Sequence, residues 1–248
     1  MNRGPGPLIL GAVVLAAGLS IAGAATAQEI SINLGDGGSI SARTIQLILL
    51  ITVLSLAPGL AIMITCFPFI ITVLAILRQG IGLQQSPPNM LIVSLALFLT
   101  YFIMEPVFLE AWATGVEPLL ENALPPETAI QRALLPFRDF MAGRVDDSTF
   151  AAMAALRPDV PVENVSAESS LSVLVPSFLL SEISRAFQIG FLIFLPFLII
   201  DLVVAAILMS MGMMMVPPAI VSLPFKLAFF VIADGWTLIA DSLVRGYM

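Results

Sequence analysis

Apolar positions in this chain form long unbroken runs instead of alternating with polar ones. From Ile45 to Leu77 no charged residue occurs. A run of this length exceeds the roughly 20 residues that an upright helix needs to cross a bilayer. Pro58-Gly59 near its middle predicts a kink or break. Arg78 ends the run, QGIGLQQSPPN (79–89) reads as a turn, and Met90–Ala113 runs back. That return arm carries Glu105-Pro106 near its end and Trp112 at a membrane interface.

The pattern changes over residues 114–170, which hold more than half of the chain's acidic residues. In PPETAIQRALLPFRDFMAGR (125–144), Ile130, Leu134, Phe137 and Met141 recur at helical spacing behind Pro125-Pro126, a suitable helix start. Asp146-Asp147-Ser148 can cap a second short helix reaching Leu156. The stretch reads as a small, partly helical soluble insert.

Apolar sequence resumes at Leu171–Met211, interrupted by Glu182, Arg185, Asp201 and Pro196, and returns over Ala219–Tyr247 with Lys226, Asp234 and Trp236 inside it. The fold class that follows is an all-α membrane protein, because a spanning backbone in lipid must satisfy its own hydrogen bonds. Two long apolar helical hairpins (45–113 and 171–248) flank the insert. Each turns at a proline pair, Pro87-Pro88 or Pro217-Pro218, and each pair is followed by Ile-Val-Ser-Leu, a faint sign of internal duplication. The 171–211 arm is long enough to be two short broken helices instead of one.

The first 27 residues have the form of a cleavable signal peptide: Arg3, the apolar core LILGAVVLAAGLSIAG, then Ala25-Thr26-Ala27. An uncleaved signal anchor is the other reading. A polar linker (28–44) follows. With Gln28 outside the cytoplasm, parity puts both proline turns on the cytoplasmic side and the insert and C-terminus in the periplasm.

Composition agrees, with 59% hydrophobic residues, 11% charged and a mean hydropathy of +1.04. Membrane lipid is therefore an implied partner. Net charge is −7 with no basic cluster, so nucleic acid is not. Histidine is absent and Cys66 is the sole cysteine. That removes the commonest general base and metal ligand together, and any intrachain disulfide. No metal, cofactor or enzymatic activity is expected.

Glu182 and Arg185 are three residues apart and share a helix face, where charge at bilayer depth costs about 3 kcal/mol or more unless it is partnered. They form either a polar path, a subunit contact or a self-satisfied pair. Asp201 lies much further along the chain from Pro217 than Lys226 does, so in straight arms the two would differ in depth and a direct pair is not expected. Asp234-Gly235-Trp236 reads as an interfacial anchor. Proline-broken arms with buried charges also suit a self-sufficient small-solute transporter or channel. The oddest segment is MSMGMMMVPP (209–218), which by itself reads as methionine filling a hairpin tip.

Three segments resemble the FliP family of the flagellar type III export gate. They are SPPNMLIVSLALFLTYFIMEPV (86–107), FQIGFLIFLPFLIIDLVVAAILMSMGMMMVPP (187–218) and LPFKLAFFVIADGW (223–236). LAPGLAIMITCFPFIITVLAILRQGIG (56–82) and LLPFRDFM (134–141) fit as well. The resemblance implies a pore subunit in the inner membrane at the flagellar basal body. It implies a homo-oligomer, a pentamer, joined by FliQ and FliR, with FlhB and FlhA around it and unfolded flagellar subunits as cargo. It assigns a sealing gasket to Met213, Met214 and Met215, with Met211 beside them, on a loop shaped by Gly212, Pro217 and Pro218. Glu182, Arg185, Asp201 and Lys226 become candidates for polar contacts between subunits. Many relatives carry Thr-Arg where this chain has Pro68-Phe69, so no role of that arginine transfers.

Overall fold

The structure, a computed structural model, describes residues 40–83, 86–157 and 164–247. The expected signal peptide and most of the expected linker lie outside the described residues. The chain divides into two units, Met1–Thr52 and Val53–Met248. The described part of the first is the beginning of helix α1 (Ile40–Met63), whose apolar side chains, such as Ile48 and Ile51, are exposed.

In the second unit α1 passes positions 58 and 59 without the break that was one expectation for Pro58-Gly59. The interruption comes later, at Ile64–Cys66. There the Thr65 amide and hydroxyl both donate to the Ile62 carbonyl, at 3.3 and 2.8 Å. Helix α2 (Phe67–Ile81) then begins with Pro68 in its first turn. At a helix start the missing proline N–H leaves no bond unmade, so a new helix is favoured there.

Helix α2 is the central element. Phe69, Ile70, Val73, Leu74, Leu77 and Ile81 are buried at three- and four-residue spacing. Its main partner is α7 (Leu171–Ser210), a single helix of 40 residues that runs through Pro176 and Pro196. The long arm is therefore one helix, not two. At 1.5 Å per residue it extends about 60 Å, twice the thickness of a hydrocarbon core. Close approach of α2 depends on Gly190, where a Cβ would meet the Ile76 side chain at 2.4 Å.

Helix α3 (Asn89–Ala111) starts at Pro88 and continues through a π-helical turn, Trp112–Val116, into the short α4 (Glu117–Leu120). The insert then forms α5 (Pro126–Ala142) and α6 (Asp147–Ala155). Asp146 caps α6, accepting from the Thr149 amide at 3.1 Å. In α5 the expected apolar stripe is only partly inside. Met141 is buried, while Ile130 is exposed and Ala129 and Pro136 are buried instead. The reason is Gly115, whose missing side chain lets Ala129 and Ala133 of α5 come against the π-helical turn. Met141, Phe150 and Ala154 share a core with Val173, Leu174 and Phe178, so the insert is seated on the first third of α7.

After α7 come α8 (Pro218–Ile232) and α9 (Gly235–Arg245), bent by 61° to one another. The bend sits at Asp234, with φ +47°. Asp234-Gly235-Trp236 thus coincides with a helix break. Gly235 lies against the Phe230 ring, which Trp236 meets edge-on at 5.3 Å. Helices at Thr44–Met63, Asn89–Leu120 and Leu171–Ser210 are long and apolar enough to cross a membrane, and α8 with α9 makes a bent fourth candidate. Among the described residues the fold is all-helical.

Candidate functional site

The methionine turn follows from how α7 ends. Gly212 adopts φ +77°, a left-handed conformation that costs a side-chain-bearing residue energy. Its amide donates to the Met209 carbonyl at 3.1 Å, and the Met213 amide reaches the Leu208 carbonyl at 2.9 Å. This pair of bonds is the Schellman arrangement, which closes the last carbonyls of a helix and turns the chain away. The Val216 amide then donates to the Met213 carbonyl at 3.3 Å, putting Met214 and Met215 at the corners of a tight turn. Pro217 and Pro218 start α8 at once.

The result is a short turn fixed at both ends with its methionines outward. Met211, Met213 and Met214 are 66%, 42% and 82% exposed, and Met215 is 97% exposed. Side chains so exposed fill no gap within the chain. Below the turn, Ile199, Val203 and Ile207 of α7 and Val221 and Phe225 of α8 line an apolar groove of about 390 Å³.

Behind the turn lies an ion pair that the sequence did not lead us to expect. Lys226 Nζ is 2.6 Å from Asp201 Oδ2 and also donates to the Gly80 carbonyl at 3.1 Å. The Ser222 hydroxyl donates to Asp201 Oδ1 at 2.5 Å. Lys226 is buried and Asp201 about one-third exposed. Depth counted from Pro217 misleads because Met211–Pro217 belongs to neither helix. Asp201 stands nine residues before Ser210, where α7 ends, and Lys226 eight residues after Pro218, where α8 begins. The two are therefore about 13 and 12 Å from the turn and meet.

A second buried charge sits 19 residues before Asp201 on α7. Glu182 is fully buried, and its main partner is not Arg185. Arg144, which follows α5, donates from Nε to Oε1 at 3.2 Å, while Arg185 lies 3.7 Å from the same oxygen and is more exposed. The Tyr247 hydroxyl donates to the other oxygen. Glu182 and Arg185 are thus brought together, within a network whose strongest members come from outside α7. No sequence signal marked Arg144, Ser222 or Tyr247, because each meets its partner through tertiary packing.

Pro87 and Pro88 take the equivalent place before α3, beside a hydrogen bond between the Arg78 guanidinium and the Asn89 side chain. The shared Ile-Val-Ser-Leu does different work in the two copies. Ser94 is exposed and bonds back to the Met90 carbonyl, whereas Ser222 is buried against Asp201.

The FliP family profile matches residues 50–243. The chain is 51% identical over 225 residues to the flagellar biosynthetic protein FliP of Caulobacter vibrioides, covering 90% of this chain and 84% of that one. It is 47% identical to the protein of the same name from Agrobacterium fabrum, covering 95% and 98%. For that of Bacillus subtilis the identity is 46%, covering 82% and 92%.

Proposed function

Because the chain belongs to the FliP family, we propose that it is a membrane-embedded component of the flagellar export apparatus whose copies surround a protein-conducting pore. In this reading five copies assemble with FliQ and FliR, next to FlhB and FlhA, and unfolded flagellar subunits pass through. The insert faces the periplasm. Met213, Met214 and Met215 project from each copy toward the axis and together make a ring of thioethers. Methionine has three rotatable side-chain bonds and a polarizable sulfur, so such a ring can reshape around successive cargo side chains and close again. An apolar constriction of this kind also excludes water and ions by dewetting.

The observation that carries the proposal is the exposure of Met214 and Met215 on a turn held at both ends by backbone hydrogen bonds. An isolated chain gains nothing from presenting these side chains to solvent. Apolar faces along α7 and the groove beneath the turn supply the surface that neighbouring subunits would cover. Relatives named as flagellar biosynthetic proteins do not favour a self-sufficient transporter.

The test is a paired assay on cells in which all three methionines are changed to glycine. Leak of small ions across the inner membrane should rise while flagellar subunits are still secreted. A stably expressed variant in which neither quantity changes would show that the methionines do not seal.

A further inference from the structure

The residues that follow α9 are held by side chains from α2, α5, α7 and the turn after α5. Beyond Arg245, where α9 stops, the Tyr247 ring stacks on Phe140 of α5 (centroids 6.1 Å apart, planes at 14°). It meets Phe69 of α2 edge-on at 5.4 Å. The Arg144 guanidinium carbon lies 3.9 Å from the ring centroid, and Arg144 Nη1 donates to the Gly246 carbonyl at 2.8 Å. The hydroxyl reaches the fully buried Glu182 of α7. One residue near the chain end thus touches the first apolar arm, the insert and the long helix.

We infer that Gly246-Tyr247 is a strap that closes the junction of α2, α5 and α7 and positions the insert on the apolar arms. Cation–π, aromatic and charge-assisted contacts converge on one ring, and each kind is favourable when shielded from water. Glu182 needs the strap in turn. A buried carboxylate with two oxygens must have donors for both, and Arg144 and Tyr247 serve one each. The strap's few contacts can open without unfolding the helices they join, so its closure is an equilibrium of its own within the folded protein.

Amide hydrogen exchange on the full chain in detergent tests this, read at residues 65–70, at residues 140–147 and within α9. Tyr247→Phe removes only the hydroxyl and should speed exchange about tenfold at both 65–70 and 140–147, the loss of one hydrogen bond to a charged group. Tyr247→Ala removes the ring as well and should exceed that by a further factor of about ten. Should the alanine variant fail to accumulate, the phenylalanine variant decides alone. Faster exchange confined to α9, with 65–70 and 140–147 unchanged, would overturn the strap and make Tyr247 a plain helix end.

Discussion

Lys226 of α8 and Asp201 of α7 face each other at 2.6 Å across the two helices that carry the methionine turn, and the lysine also holds the Gly80 carbonyl of α2. Three helices therefore meet at one ammonium group. Replacing Lys226 with methionine should destabilise the protein in detergent by about 2 kcal/mol. Removing one partner of a buried pair costs more than that, but Asp201 is partly exposed and can recover some hydration. The exchange Asp201→Lys with Lys226→Asp should rescue less than half of the loss, since it sets a carboxylate against the Gly80 carbonyl. Full rescue in an unfolding titration would show that the Gly80 contact is idle.

Glu182 distinguishes its two arginines. Arg144→Ala removes the closer and more buried partner and should cost about 2 kcal/mol, leaving Glu182 short of a donor. Arg185→Ala removes a half-exposed group at 3.7 Å and should cost under about 1 kcal/mol. Equal losses in the two variants, measured by the same titration, would contradict this ranking.

At Gly212 space is open but the backbone is left-handed. Gly212→Ala should therefore destabilise the end of α7 by about 1 kcal/mol through strain alone, with Gly212→Asn milder because asparagine tolerates that region. Exchange of the amides of Gly212 and Met213 reports the effect. An alanine variant no faster than wild type would mean that the turn is not held in this conformation.

Gly190→Ala should be more damaging than any change at the turn, by about 1–3 kcal/mol, because the new methyl overlaps Ile76. Ile76→Ala in the same chain should recover most of the loss. An absent rescue would place the cost elsewhere than in the α2–α7 contact.

Hydrogen bonds from the Ser148 side chain, then the Thr149 amide, hold the Asp146 carboxyl below its ordinary value of 3.8. A group whose pKa is depressed by folding stabilises the protein above its unfolded value, and that contribution is lost as pH falls through the folded one. Wild type and Asp146→Asn should thus differ in thermal unfolding near neutrality and converge in strong acid. A constant difference down to pH 2 would assign the effect to something other than ionisation.

Much of the architecture was legible because lipid leaves few choices. Runs such as Met90–Ala113 and Leu171–Met211 specify helices by composition alone, and Pro126 and Asp146 mark helix starts by chemistry that acts within one turn. Local signals failed where two of them competed. Pro58-Gly59 has the stronger breaking pair, yet the chain breaks at Cys66, where Thr65 can bond back and Pro68 can open the next helix. For Asp201 and Lys226, spacing in residues was a poor guide to spacing in ångströms once a non-helical turn lay between them.

The sequence by itself determined that this chain is helical, membrane-associated, free of the histidine and cysteine pairs that metal and redox chemistry favour, and a member of its family. It also concentrated methionine at one turn. Only the tertiary structure decided which charges meet and which side chains face outward. Arg144 and Tyr247 stand 38 and 65 residues from Glu182. Partners at such distances are chosen by how α2, α5 and α7 pack, through glycines at 115 and 190 that let backbones approach. Helical periodicity reaches only three or four residues, and it carries no information about that choice.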